Sequence, residues 1–347
     1  MFCESFRASR RCTSTCPDAP PVTVQPSKPT LAEGSDQPTP VAKLIGSPYF
    51  GLVLVTLIWG GLHPLAKLTM QEVTPLQLVL GRVGFACLTL TLIMAVRGRI
   101  SDVTFEFRTR PLTIITLGVV SFCASSGASM IALSFLPASV SSLLSNVSPL
   151  FVAMGAIALD RGRTSLVAVV GILVGFVGLG LIIFGEDPAG FGNLTLSPFG
   201  VALSLFGSLT WAIYIGLSRR AMARGSPIAI VAASSICGGI PWFAVSLVTG
   251  DFFRLFQVPL PYWGLLFFLG AVATGLTYAV WNAALARLSA ASVAVFQYAI
   301  PFWAVVLSVL LLGEHVTIPL VVGALGIVAG IVMTQRSERG IRAAAAR

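Results

Sequence analysis

The sequence predicts an all-α integral membrane protein whose ten transmembrane helices form two inverted five-helix repeats. Three observations predict this fold: a very apolar composition, a series of apolar segments of membrane-spanning length, and an internal repeat. Of the 347 residues, 56% are hydrophobic and only 10% are charged. Charged residues make up about a quarter of an ordinary soluble domain. Most of this chain must therefore face lipid or other helices.

The apolar segments begin at Tyr49 and continue to about residue 335. About 20 residues, at a rise of 1.5 Å each, cross the hydrocarbon core of a bilayer. The segments are continuous and lack the alternation of a membrane β-strand, which predicts helices. We place the helices at about 49–68, 75–96, 112–134, 138–159, 165–184, 198–217, 227–249, 261–285, 290–312 and 317–335.

The distribution of positive charge predicts the orientation of the chain. Of the 22 Lys and Arg residues, 19 lie in the tails and the even-numbered loops, whereas Lys67 and Arg254 lie in odd-numbered loops and Arg82 lies within the second helix. Cytoplasmic loops carry the excess of Lys and Arg, so both termini are predicted to be cytoplasmic. This scatter offers no contiguous basic surface, so we expect no nucleic-acid partner despite the pI of 9.7.

The polar ends of the chain are predicted to be cytoplasmic tails. Residues 1–47 are rich in Pro, Ser, Thr and Arg and are predicted to be disordered; residues 336–347 form the second tail. An organellar transit peptide is the alternative interpretation of the first sixteen residues. The charges fit a multi-pass protein of the bacterial inner (plasma) membrane, surrounded by lipid.

An offset of 152 residues aligns the second half of the chain with the first. It pairs Trp59 with Trp211, and it predicts repeats at 48–184 and 198–335. Because five helices is an odd number, the second repeat enters the membrane from the opposite face, as in many secondary transporters. The same offset pairs Pro75 with Pro227, Gly118 with Gly270, Ala138 with Ala290, Pro149 with Pro301, and Gly178 with Gly330.

Two prolines in the predicted fourth and ninth helices each follow a polar pair. The residues are Ser145, Asn146 and Pro149 in the fourth helix, and Gln297, Tyr298 and Pro301 in the ninth. Each proline bends its helix and leaves the carbonyl four residues earlier without its usual N–H donor. We expect the polar pairs to bind substrate near the bilayer midplane. The alternative is that the prolines only bend the helices and the polar groups only pack them.

Further polar and aromatic residues predict the walls of a pocket. Tyr278, Trp281 and Asn282 lie in the eighth helix, opposite a serine-rich third helix in the repeat alignment; close helix packing is the alternative role of these hydroxyl groups. Trp59, His63 and Lys67 share one face of the first helix, and Trp211 and Tyr214 occupy the related part of the sixth. The alternative for the tryptophans is interfacial anchoring.

Three ionisable residues have separate predicted roles. His63 ordinarily titrates near neutral pH and is the candidate for proton coupling, since no acidic residue lies deep in a predicted helix. Arg82 lies seven residues past Pro75, about 10 Å into its helix. We expect it to extend outward as a surface anchor; contact with an anionic group is the alternative, also considered for Lys67.

Glycines in the fifth and tenth helices predict close helix packing, with a homodimer interface as the alternative. They are Gly171, Gly175, Gly178, Gly323, Gly326 and Gly330. Six scattered cysteines and two distant histidines have no metal-binding spacing, so we expect no metal ion and no cofactor.

The chain resembles the EamA-like group of the drug/metabolite transporter superfamily over nearly all of residues 48–335. The resemblance rests on five features: Trp59-Gly60 with Lys67, Pro75 with Arg82, Leu133 to Pro149, Trp211 with Tyr214 and Arg219, and Tyr278 to Gly313-Glu314. It implies transport of small metabolites, often amino acids or related compounds, by alternating access around a central cavity, with no enzymatic activity.

The sequence therefore predicts a secondary transporter that exports a small amphipathic substrate. A nucleotide-sugar or sugar-phosphate carrier of the same fold is the alternative, and it would need several cations in the cavity. An intramembrane acyltransferase is a more remote alternative, and it would need a base or metal site.

Overall fold

The computed structural model describes residues 48–159, 166–184, 196–222, 225–287, 296 and 299–345. The predicted N-terminal tail, the polar pair Gln297 and Tyr298, and the Asp160 region lie outside the described residues. Within those ranges the chain forms helices and contains no strand.

Most predicted helices correspond to one observed helix each, and the predicted fourth helix is divided in two. Short helices α3 and α10 lie in two of the loops. The bounds are α1 Pro48–Thr69, α2 Pro75–Val96, α3 Ile100–Thr109, α4 Pro111–Ala132, α5 Ala138–Ser145, α6 Ser148–Leu159, α7 Leu166–Phe184, α8 Pro198–Met222, α9 Pro227–Thr249, α10 Asp251–Leu255, α11 Leu260–Arg287, α12 Ala299–Leu312 and α13 Ile318–Ala345.

Among the described residues, six helices are long and apolar enough to cross a bilayer: α1, α2, α4, α8, α9 and α11. Four shorter apolar helices lie at Ala138–Val152, Val169–Leu181, Ala299–Leu312 and Ile318–Met333, where further spans are predicted. The last helix continues to Ala345, beyond the predicted start of the C-terminal tail at residue 336.

The outer surface is far more apolar than that of a soluble protein, and many hydroxyl groups are buried. Large apolar side chains point outward, such as Val248 (89% exposed) and Leu88 (63%), whereas the hydroxyl groups of Ser141, Ser142 and Ser235 are fully buried. Lipid tails are as apolar as leucine, so an outward-facing leucine costs nothing in a bilayer. The described helices thus form a bundle with an apolar outer surface and an interior in which buried hydroxyl groups lie among apolar side chains.

Helices of the first half pack mainly on helices of the second half. α1 packs on α12 and α11, and in the same way α8 packs on α5, α6 and α4. α2 packs on α11 as α9 packs on α4, while α2 pairs with α9 and α7 pairs with α13. Most of these contacts have a repeat-related counterpart among the described residues, as expected for a two-fold arrangement.

The α9–α4 and α2–α11 crossings each depend on one glycine of the internal repeat. A Cβ on Gly118 would overlap the Ser234 carbonyl of α9, and a Cβ on Gly270 would lie 2.7 Å from the Arg82 carbonyl of α2. Gly118 aligns with Gly270, and Arg82 aligns with Ser234, at the offset of 152 residues. The two halves therefore make the same crossing with equivalent residues.

Both glycine-containing helices also change their winding near the crossing. α4 is π-helical over Val119–Ser125 and α11 over Phe268–Leu276, whereas the rest of each helix is α-helical. These segments overlap in the repeat alignment. π-Helical turns are uncommon and occur frequently at functional sites.

The glycines of α7 and α13 face one another within the chain. A Cβ on Gly178 would contact the backbone of Gly323 and Ile327, and one on Gly330 would contact the backbone of Gly171 and Gly175. This is the close packing that small residues permit. A homodimer through these two helices would have to use their remaining faces.

Candidate functional site

A cavity of about 110 Å³ lies inside the bundle, between the two halves of the chain. Side chains from α1, α2 and the α4–α6 region meet side chains from α8, α11 and α12. Of the site residues predicted from the sequence, eight line this cavity. They are Trp59, His63, Arg82, Ser145, Asn146, Pro149, Trp211 and Tyr278.

The cavity lies beside a break between α5 and α6. α5 ends at Ser145 and α6 begins at Ser148, so Asn146 and Val147 interrupt the helix. Pro149 has no N–H to donate to the Ser145 carbonyl. The Asn146 side-chain nitrogen donates to the Ser142 carbonyl at 2.8 Å, which leaves the amide oxygen without a hydrogen bond to any described residue.

The corresponding region of the second half is only partly described. Pro301 is buried within α12, one residue after Ile300, which lines the cavity. Gln297 and Tyr298 lie outside the described residues, so their predicted contribution stays a prediction.

His63 joins three helices through two hydroxyl groups. Its Nε2 lies 3.2 Å from Ser129 Oγ of α4 and 3.3 Å from Ser145 Oγ of α5, and the two hydroxyl oxygens are 3.2 Å apart. Its Nδ1 is buried and has no hydrogen-bond partner among the described residues. The imidazole therefore faces hydroxyl groups on the cavity wall, with one nitrogen uncommitted.

An aromatic cluster forms another wall. Trp59 lies at its centre, with ring centroids 6.2 Å from Trp211, 6.0 Å from Tyr278 and 5.0 Å from Trp281. Trp211 stacks on Tyr214 at 5.0 Å. The Trp59 indole N–H donates to Thr277 Oγ1 at 2.9 Å and to the Ala273 carbonyl at 3.1 Å, which fixes the ring against α11.

The remaining predicted pocket residues lie behind this wall. Trp281, Tyr214 and Asn282 are buried and do not line the cavity. Asn282 Nδ2 donates to the Tyr278 carbonyl at 2.8 Å. These three residues lie behind the lining aromatic rings, and their predicted direct contact with substrate stays a prediction.

Arg82 also lines the cavity, so the expectation of an outward-reaching anchor is wrong. Its side chain is only 6% exposed, and its Nε donates to Thr274 Oγ1 at 2.9 Å. Thr274 Oγ1 in turn donates to the Leu269 carbonyl at 2.8 Å, within the π-helical segment. The close crossing at Gly270 brings α11 against Arg82 and directs the guanidinium inward.

Lys67 lies away from the cavity and holds the end of α4. Its Nζ donates to the carbonyls of Leu133 at 2.6 Å and Leu136 at 3.0 Å. A cation at the C-terminal carbonyls of a helix is stabilising. Lys67 is therefore a helix cap, and neither of its predicted roles, anchor or anion contact, describes this geometry.

Glu314 makes the matching contact at the start of α5, which the sequence did not predict. Its carboxylate accepts hydrogen bonds from the N–H groups of Ala138 at 2.6 Å and Ser139 at 3.1 Å, and from Ser139 Oγ at 2.6 Å. The sequence signal for this contact was the Gly313-Glu314 pair, because a glycine directly after an apolar helix marks the end of that helix. In the structure Gly313 adopts a positive φ of 66° just after α12. Glu314 and Lys67 thus join helix ends on one side of the bundle.

The profile of the EamA-like transporter family matches this chain twice, over residues 46–184 and 198–336. The chain belongs to the EamA-like transporter family. This membership confirms the predicted drug/metabolite transporter superfamily and the two-repeat architecture. Together with the apolar helices, it makes the EamA-like protein a multi-pass membrane transporter.

Several proteins resemble this EamA-like transporter over most of their length. YyaM of Bacillus subtilis, described as an uncharacterized transporter, is 24% identical over 82% of this chain and 92% of its own. YvbV of the same organism, also described as an uncharacterized transporter, is 26% identical over 85% and 93%. A solved crystal structure shares the fold, with a TM-score of 0.59, 19% identity, and coverage of 83% of this chain and 96% of its own.

Proposed function

We propose that this EamA-like protein is a secondary transporter that exports small amphipathic metabolites, such as amino acids or related compounds, across the plasma membrane by alternating access. In this proposal ten helices span the membrane as two inverted repeats, both termini are cytoplasmic, and the protein catalyses no reaction. The observation that carries the proposal is the polar, aromatic-walled cavity between the two halves.

The position of the cavity supports a transport site. Secondary transporters bind their substrates where two repeats meet, beside helices that are interrupted near the bilayer midplane. Here the α5–α6 break places Asn146 and Ser145 at the cavity, and Trp211 and Tyr278 from the second half face them. A solute bound there would contact both halves at once, so its binding would respond to their relative movement.

The helix-end contacts of Lys67 and Glu314 support alternating access. Glu314, in the second half, bonds to the start of α5 in the first half. Lys67 holds the end of α4 close by, and the charge distribution predicts that these helix ends face outward. In the proposed cycle this conformation is closed on the outer side, and export requires the Glu314 contact to break.

The cavity favours a small metabolite over a sugar nucleotide. Arg82 is the cation that lines it among the described residues, since Lys67 is committed to helix carbonyls. A cavity of about 110 Å³ is also smaller than the roughly 150 Å³ that holds benzene. Acyltransferase chemistry is disfavoured because the hydrogen-bonding partners of His63 are serines, with no acid–histidine pair in the described ranges.

A thermal-shift screen of the purified protein against amino acids, nucleosides, sugars and amines tests the proposal. A solute that binds the folded state raises its apparent Tm. Solutes that raise the apparent Tm should then be transported in proteoliposomes. Asn146→Ala should reduce both their binding and their transport. Leu88→Ala, at an exposed outer position, is the control and should behave as wild type. Unimpaired transport by Asn146→Ala would remove this assignment of the binding site.

A further inference from the structure

Arg82 is a buried cation with no acidic partner in the part of the chain that the structure describes. Arg82 is only 6% exposed, and it forms no ion pair with any described residue. Leaving an unpaired charge in a membrane protein interior is costly, so such residues usually have a functional partner. The cavity beside Arg82 is where that partner can bind.

The orientation of the guanidinium leaves its binding edge available. An arginine side chain has five N–H donors arranged as a planar fork. Nε is committed to Thr274 Oγ1, which the Leu269 carbonyl holds in place, and the terminal nitrogens make no hydrogen bond to the described residues. The arginine is therefore fixed at one donor, and no described residue occupies its terminal pair of nitrogens, which have the geometry to receive two oxygens of one planar group.

We propose that Arg82 binds the carboxylate of the transported solute, whose small apolar body lies against Trp59, Trp211 and Tyr278. The proposal rests on the proposed transport function and narrows it to small monocarboxylates, including zwitterionic amino acids. Arginine pairs with planar carboxylates through two parallel hydrogen bonds. Aromatic side chains offer large apolar faces that bind an apolar body without requiring hydrogen bonds from it.

Charge and volume favour a carboxylate over a phosphate as the oxyanion. One cation balances one carboxylate, whereas a phosphate monoester carries nearly two negative charges at neutral pH. Arg82 is the only Lys or Arg that lines the described cavity. The volume of about 110 Å³ admits a solute with few heavy atoms.

The test uses one matched series on the purified full-length protein: butyrate, butyramide and butylamine. Inorganic phosphate and ethyl phosphate form a separate arm. Apparent Tm and tryptophan fluorescence are measured for wild type, Arg82→Gln, Arg82→Lys and the control Arg254→Gln, which removes an exposed positive charge from α10. We expect carboxylates to stabilise wild type and the control, and amides and amines not to do so.

Arg82→Gln should bind the carboxylate about tenfold to a hundredfold more weakly, as expected for loss of a charge-assisted pair. If Arg82→Gln does not fold, two other measurements still test the inference: the comparison of acid with amide in wild type, and the affinity of Arg82→Lys for the acid. Equal binding of acid and amide, unchanged affinity in Arg82→Gln, no carboxylate binding, or binding of phosphates alone would each overturn the inference. Asn146-dependent transport of uncharged solutes would overturn it and leave the proposed function standing, whereas failure of every solute to bind and be transported would remove both.

Discussion

The Glu314 carboxylate caps the helix that begins at Ala138, with 2.6 Å between its Oε1 and the Ala138 nitrogen. The two residues are 176 positions apart and lie in different repeats. The first N–H groups of a helix have no partner within the helix, and a carboxylate there is favoured by both hydrogen bonding and the helix dipole. The stability of the first half therefore depends on a loop of the second.

Glu314→Ala should lower the free energy of unfolding by about 1–2 kcal/mol, the usual effect of removing a helix cap. Glu314→Gln should lower the free energy of unfolding by less, because the amide oxygen still accepts hydrogen bonds. The apparent Tm of purified protein measures both effects. Glu72→Gln, at an exposed loop position, is the control, and an equal loss of Tm in this variant would show that the cap is unimportant.

Lys67→Gln should destabilise the protein by about 1 kcal/mol, since the Leu133 and Leu136 carbonyls lose a charged donor. Lys67→Arg should recover part of the loss. Because Lys67 does not line the cavity, the affinity for any solute found in the thermal-shift screen should stay the same. A marked loss of affinity at unchanged Tm would instead place Lys67 in the binding site.

Gly118→Ala and Gly270→Ala should each prevent normal assembly, because the added methyl group would overlap backbone at the crossing with a neighbouring helix. Gly84→Ala is the matched control: no atom lies within 4 Å of its added Cβ, and alanine favours a helix by about 1 kcal/mol. Size-exclusion profiles and Tm in detergent measure the outcome. Normal behaviour of both variants would contradict the repeated crossing.

Trp59→Phe should weaken solute binding and lower Tm, because the Trp59 N–H donates to Thr277 Oγ1 and to the Ala273 carbonyl. Thr277→Val removes the side-chain acceptor while keeping a similar shape. The decrease in Tm of the double variant should be smaller than the sum of the decreases in the two single variants, since each single substitution removes the same hydrogen bond. Strict additivity in Tm would show that this bond contributes nothing.

His63→Gln should flatten the pH dependence of transport if His63 carries the coupled proton. Glutamine offers an amide that can replace the imidazole contacts with Ser129 and Ser145, so folding should be preserved. The measurement is initial transport rate against pH in proteoliposomes, with His315→Gln as the control. An unchanged pH profile in His63→Gln would exclude proton coupling at this residue.

The sequence predicted the apolar segments, the repeat and most of the residues that line the cavity. Trp59 and Trp211 were found because aromatic and polar residues are rare enough in apolar helices for repeat-related positions to be recognised. Ser145 and Asn146 were found because Pro149 marks the break in the helix. Each of these signals is local in the chain.

The roles of Arg82, Lys67 and Glu314 required the structure because each depends on how separate helices are rotated and placed. A position 10 Å along a helix does not say whether a side chain faces lipid or the interior; the Gly270 crossing and Thr274 decide this for Arg82. The same is true of Tyr214, Trp281 and Asn282, which share sequence neighbours with cavity residues but lie behind the cavity wall.

The exchange of helix partners between the repeats also governs how the chain assembles. α1 is synthesised early, yet its main neighbours, α11 and α12, begin more than 200 residues later. The helices of the first repeat are therefore synthesised before their partners in the second repeat exist. A chain stopped at residue 184 would keep the contacts among its own helices but would lack the partners of α1, so the folding of the first repeat depends on the synthesis of the second.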